Sequence, residues 1–288
     1  MKLTAETFIR RLKGSSQPLL LRCSDKRFYV TKFQGNPQGN HVLANELLGS
    51  RLGTKIGIPV APSFVIEVSD SFLSQSPEIS FKSPQGQSPI AEGLHCGSRY
   101  VINPAVGSTY DYLPATMLDR VADLNPFAGA LAFHLWVQNH GNPQPVFWRP
   151  SIRHLYRVTF IDHGLCFGGP NWHWHLGRGQ GTALYFHRAV YREIDGWSSF
   201  EPFLRAIENI RLEELQALAE GIPECWCGDS VQLDQMLQRL FARKLLVRDL
   251  ITACVAAHPE HFPLWRRLPR SPSCSETTAL DSLAEVTA

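Results

Sequence analysis

The chain has 288 residues, 44% of them hydrophobic and 19% charged, with a formal net charge of +2. That is enough apolar material for one large domain or two lobes, and the scattered arginines and small net charge point to neither nucleic acid nor an anionic membrane. No apolar run approaches the length of a bilayer span, and seven irregularly spaced cysteines without an export signal fit free thiols in a reducing compartment, so a cytoplasmic protein is expected.

Residues 1–16, MKLTAETFIRRLKGSS, read as a short amphipathic helix with Phe8, Ile9 and Leu12 between charges. Residues 18–22 and 27–33, joined at Ser24-Asp25-Lys26, predict a β-hairpin. In its second strand Phe28, Val30 and Lys32 share a face, so an ammonium sits among apolar neighbours and needs an anionic partner. A helix is expected over about 40–56, striped by Leu43, Leu47, Leu48, Leu52 and Ile56, with Glu46 beside the stripe. Lys32 and Glu46 are then either two solvated charges or a strand-lysine and helix-glutamate pair of the kind that positions a lysine against ATP.

Residues 63–68 alternate as a third strand. Residues 69–92, rich in Ser, Pro, Gln and Gly and anchored only by Phe72, Leu73, Ile79 and Phe81, predict a mobile insertion that adds little to the core. Residues 93–102 resume β character, and Asn125-Pro126 opens a helix to about 139 striped by Phe127, Ala130, Leu131, Leu135 and Trp136. The prolines and glycine of 139–147 then break regular structure before a short strand over 146–148. Residues 158–162 read as a strand running into a turn at His163-Gly164, which puts the Asp162 carboxylate at a strand end. A D-x-G there is either a turn cap or a carboxylate that holds a divalent cation against a phosphate.

Residues 184–194 have strand-like composition, and helices are expected over 199–210, 212–219 and, from an Asp229 cap, to about 257. The last would bury Leu233, Leu237, Leu240, Phe241 and Leu245. His173/His175 and Cys225/Cys227 form H-x-H and C-x-C pairs, which could hold zinc in a structural or interaction protein, or could pack with Trp172 and Trp174 as an aromatic cluster.

KFQGNPQG (32–39), ANE (44–46), CGSRY (96–100), DYLP, LAFHLWVQN and FIDHGLCFGG occur in the order found in HipA-like kinase domains, and over residues 13–248 the chain resembles that family. The resemblance implies an α+β, two-lobed protein-kinase-like fold related to the phosphatidylinositol kinases. A small β-rich N-lobe would span 1–104, a larger mainly helical C-lobe 105–266, and a disordered tail 267–288. ATP and Mg would be the cofactors, with a nucleotide and a possible protein substrate as partners and neither nucleic acid nor membrane among them.

By the same resemblance Lys32 would contact phosphate, Glu46 would be its helix partner and Asp162 would bind magnesium. Gly35, Asn36, Gln38 and Gly39 would lie near the phosphates, and Cys96, Gly97, Ser98 and Tyr100 would pass the adenine. Asn139 and Gln144 would belong to the catalytic loop. That loop resembles N-x-D-x-R-Q in the family but reads Asn139-His140-Gly141-Asn142-Pro143-Gln144 here, so the proton-accepting aspartate and the arginine are gone. His134 also stands where an acid is often found. The departure implies a nucleotide-binding pseudokinase, a slow kinase using His140 or His163 as base, or a phosphotransferase of altered chemistry.

Overall fold

The computed structural model describes residues 3–39, 41–174 and 183–265. Its first element corrects the sequence reading, because Leu3–Arg11 is a strand, β1, and not a helix. Register shifts between Ala5 and Thr7 and between Phe8 and Arg10 break the two-residue alternation that marks a strand, and of the residues read as a helical stripe Phe8 packs on the barrel-side core while Ile9 is exposed. β2 (Leu19–Cys23) and β3 (Phe28–Lys32) form the expected hairpin. Then come α1 (His41–Lys55), β4 (Ser63–Val68), α2 (Asp70–Ser74), β5 (Ser80–Ser83), β6 (Gly86–Pro89) and β7 (Gly93–Arg99). Strands β1, β2, β3, β7 and β4 close into a barrel in that order, sealed by parallel pairing of β1 with β4.

The 69–92 insertion is the second correction. Phe72, Ile79, Phe81 and Ile90 are buried in the same cluster as Leu19, Leu21, Tyr29 and Phe33, so the segment completes the barrel-side core. Four well-spaced apolar side chains are enough for this, since burying each one stabilises by about 1.5–3 kcal/mol however polar the residues between them are.

The remaining strands, β8 (Thr109–Tyr110), β9 (Gln144–Trp148) and β10 (Arg157–Ile161), form a second sheet, with α3 (Pro126–Trp136) between β8 and β9 in the chain. α3 buries Phe127, Leu131, Phe133 and Trp136 in a larger cluster that also receives Leu43, Leu47 and Leu52 of α1. Phe160 in β10 donates its N–H to Pro59 O and accepts from Ala61 N, which docks the end of β10 beside the barrel and fixes the position of Asp162.

Helices α4 (Glu201–Asn209), α5 (Leu212–Ala219), α6 (Glu224–Cys227), α7 (Ser230–Arg243) and α8 (Val247–Ala257) complete the described chain. Residues 184–194 hold a 3-10 turn, Arg188–Tyr191, where strand-like structure was expected. Their aromatic and branched residues are there to fill the core: Tyr185, Val190, Tyr191 and Ile194 are all buried. Asp229 caps α7 as expected, accepting from Gln232 N, but a 3-10 turn at Lys244–Leu246 divides the predicted long helix in two. Lys244 Nζ donates to Ile210 O at 2.6 Å at this turn, and Leu245 is left 78% exposed where burial was expected. No helix among the described residues is long and apolar enough to cross a membrane, and the six described cysteines are free thiols. The expected tail over 267–288 lies outside the described residues.

Candidate active site

β3 carries Lys32 inward and α1 carries Glu46 to meet it, with Lys32 Nζ 2.6 Å from Glu46 Oε2. The pair is buried, the side chains being 7% and 2% exposed. Glu46 Oε1 accepts a second bond, at 2.9 Å, from the Ser98 hydroxyl on β7. The same ammonium lies 2.5 Å from Asp162 Oδ1, while Asp162 Oδ2 accepts from Gln144 Nε2 at 2.8 Å. Burial alone would pull the Lys32 pKa down, but the two carboxylates outweigh it and hold the group above its ordinary value. Burial likewise would raise Asp162, yet the charge and hydrogen bond of Lys32, helped by Gln144, keep it below the usual carboxylate range.

Asp162 leaves β10 in the left-handed region, at φ 63°, which turns its carboxylate toward Lys32 and away from the line of the strand. Gly164 is needed for a different reason: a Cβ there would stand 2.7 Å from Val42 Cγ1 and 3.1 Å from Lys32 Nζ, intruding on the ion pair. The rest of this turn hangs on Asn45, a buried residue of α1 whose Nδ2 donates to the carbonyls of Gly164, Cys166 and Gly169 while its Oδ1 accepts from Trp172 Nε1. Asn45 lies in the ANE segment, 44–46, where the resemblance assigns a role only to Glu46. A fully buried amide in mid-helix has to be satisfied by something other than the helix, and that was the available signal.

These groups face a cleft of about 610 Å³. Leu12, Val30, Ala61, Val146 and Ile161 give it apolar walls, and Lys13, Lys32, Gln38, His140, Asn142, Gln144 and Asp162 supply polar groups. Of the residues expected near the phosphates, Gln38 lines the cleft and Gly35, Asn36 and Gly39 do not. Asn36 instead holds its own turn, donating to Phe33 O and Gly39 O and accepting from Gln38 N. Lys13, Gly14, Ser15 and Ser16, the connection from β1 to β2, line the cleft in their place. Reading β1 as a helix hid this glycine-bearing turn.

Ser98 and Tyr100 line the cleft, with Arg99 and Val101 beside them, but Cys96 and Gly97 do not. Gly97 serves barrel packing, for a Cβ there would meet Ile66 Cδ1 and Tyr29 Cβ. Asn139 is buried behind the loop, its Oδ1 accepting from Gly141 N at 2.9 Å and its Nδ2 donating to His134 Nδ1 at 2.7 Å. Burial pushes the His134 pKa down to about 3, so it is a neutral acceptor. His140 lines the cleft and His163 does not. The His163 ring stacks edge-on against Phe133 at 5.6 Å, its Cβ lies where a side chain at Gly49 of α1 would clash, and burial holds it neutral.

The alternative metal pairs are not assembled among the described residues. Cys225 and Cys227 lie on one helical turn, where residues two apart diverge, so that Cys225 is exposed and Cys227 buried. His173 is exposed, and His175 lies outside the described residues.

The family model described as a HipA-like kinase matches residues 5–249. Among solved structures, the Helicobacter pylori proinflammatory kinase CtkA aligns with a TM-score of 0.54 at 11% identity, covering 88% of this chain and 96% of that one. The Golgi casein kinase aligns at 0.50 and 8% identity over 89% and 72% of the two chains. Its structure with Mn/ADP bound aligns at 0.51 and 9%, over 89% and 73%. At such identities the likeness establishes an α+β kinase-like fold. No curated protein is similar enough to count as a match.

Proposed function

We infer that this chain, which belongs to the HipA-like kinase family, binds ATP with a divalent ion, magnesium by preference, in the cleft between residues 1–104 and 105–266, acting as its two lobes, and transfers phosphate slowly or not at all. The observation that carries this reading is the Lys32–Glu46–Asp162 constellation, a buried cation held between two carboxylates in the lining of an apolar-walled slot. A lone structural ion pair needs neither the slot nor a second carboxylate.

The residues present suit such a ligand. Apolar walls fit a purine, and Lys32 and Lys13 are the cleft's cations nearest in role to phosphate binders. Asp162 has spent two of the roughly four acceptor positions of a carboxylate, which leaves capacity for a metal, and magnesium commonly takes only one or two protein carboxylates plus phosphate oxygens. A bound ion would neutralise phosphate charge. The Golgi casein kinase with Mn/ADP supports a nucleotide and a divalent metal in this fold.

Slow chemistry follows from the loop. The carboxylates lining the cleft are Glu46 and Asp162, both already engaged, and Gly141 offers no proton acceptor where the family places one. His140, which lines the cleft, is the remaining candidate base, and the location of His163 beneath α1 argues against it. Titration of the purified protein with ATP, with and without magnesium, alongside a phosphate-transfer assay, tests the reading. Magnesium-enhanced binding with little transfer is expected, and the absence of any nucleotide binding overturns it.

A further inference from the structure

Outside the cleft lining, the C-terminal end of α8 carries a group of side chains that the proposed function does not use. His258 ends the helix and the 3-10 turn Pro259–His261 follows. His258 Nδ1 lies 3.6 Å from Glu260 Oε1, and His261 Nδ1 lies 3.1 Å from the same oxygen. Among the described residues this is the one place where three potential metal donors converge.

We propose that His258 Nδ1, Glu260 Oε1 and His261 Nδ1 bind a zinc-like divalent transition ion, with water in the fourth position. Zinc bonds to nitrogen and oxygen of about 2.0–2.1 Å in tetrahedral geometry place neighbouring donors about 3.3 Å apart, and the two donor separations here fall on either side of that edge. Two imidazoles turned through the same ring nitrogen toward one carboxylate oxygen give a borderline N₂O donor set, which suits zinc or cobalt better than magnesium or calcium. The rings are 5.8 Å apart and nearly perpendicular, so they flank a common point without stacking over it.

The fold gives such an ion a consequence. His261 packs against Tyr191 at 5.9 Å, and the next residue, Phe262, is buried against the same ring at 5.4 Å. An ion joining His258 to His261 would tie the end of α8 to the turn that seats Phe262 in the larger core. It would stabilise the folded chain by binding it and not the unfolded one.

The test uses the full chain, stripped with a chelator and titrated with ZnCl₂ or CoCl₂. The expected result is one ion per chain, visible absorption bands of four- or five-coordinate cobalt, and a thermal midpoint raised by zinc. Glu260→Gln and the pair His258→Ala/His261→Ala should remove all three effects, while Cys225→Ser/Cys227→Ser leaves them intact. Because all three donors are at least partly exposed, these variants should fold, and an unchanged circular dichroism spectrum checks it. The proposal is overturned if no stoichiometric cobalt step appears, if the histidine pair retains the bound ion, or if the cysteine pair loses it.

Discussion

Lys32 Nζ stands 2.5 Å from Asp162 Oδ1, a contact between residues 130 apart in sequence that ties the barrel to the end of β10. Without Lys32, Glu46 would keep its burial and the Ser98 hydroxyl but lose its counter-charge. Removing one partner of a buried ion pair typically costs about 3–5 kcal/mol, so Lys32→Met should lower urea-unfolding stability on that scale as well as nucleotide affinity. Adding Glu46→Gln to Lys32→Met should recover part of the stability and none of the binding. Equal stability of wild type and Lys32→Met would contradict the burial argument.

Asp162→Asn should reduce the magnesium enhancement of ATP affinity, measured by titration calorimetry. It should also alter the acid limb of stability. A carboxylate whose folded pKa is depressed contributes fully above its unfolded value of about 3.9 and loses the contribution as pH falls through the lower folded value. Asn has no such titration, so the variant should be less stable at neutral pH and show a flatter profile below about pH 4. Identical acid limbs would show that Asp162 gains nothing from Lys32.

The barrel hairpin, α1, β4, α3 and the Asp162 turn were legible because their patterns are local: alternation in β3, a helical stripe in α1, and a breaker after a strand. Lys32 was legible as a residue in need of an anion. What escaped depended on contacts distant in sequence. The bulges of β1 become visible only through its pairing with β2, and with them the cleft-lining turn at Lys13–Ser16 was lost. The insertion's core role depends on Leu19 and Tyr29, some fifty residues upstream of Phe72, and no local window contains that relationship.

Three histidines, His95, His134 and His163, are held neutral chiefly by burial, His95 at about 4 and His134 at about 3. The unfolded chain takes up their protons near pH 6.5 while the folded chain does not. Stability should therefore fall as pH drops below about 6.5, by up to about 1.4 kcal/mol per pH unit for each histidine, easing only near pH 4 and 3 where the folded groups protonate. His134→Gln keeps an acceptor for Asn139 and should make the slope between pH 6 and 4 shallower in denaturant titrations. An unchanged slope would remove His134 from the account.

Gln17 reaches from the cleft-lining turn to the insertion, donating from Nε2 to Lys82 O at 2.7 Å and accepting from Lys82 N at 2.8 Å on Oε1. Arg11 adds a bond to Ser80 O at 2.6 Å. The β5–β6 hairpin thus braces the turn that lines the cleft. Gln17→Ala should weaken ATP binding by about fivefold, or roughly 1 kcal/mol, with little change in melting temperature. A melting temperature that falls while affinity holds would make Gln17 a purely structural clip.

Gly141 offers the most direct test of why transfer should be slow. Its φ lies outside the left-handed region, and a Cβ would find Asn139 Oδ1 and Leu165 Cδ1 at 3.4 Å, contacts that small shifts can absorb. The backbone N–H of Gly141 is already held by Asn139, so the loop keeps its path when a side chain is added. Gly141→Asp therefore places a carboxylate in the cleft without remaking the loop. A positioned base contributes about 10²–10⁴ to rate, so phosphate transfer or autophosphorylation should rise toward that range while ATP affinity changes little. Pro143 fixes the chain two residues on, and Gly141→Asp with Pro143→Arg supplies both a carboxylate and a guanidinium and separates a badly aimed carboxylate from an unneeded one. A wild-type enzyme already fast, and unaffected by His140→Ala, would show that its base lies outside this loop.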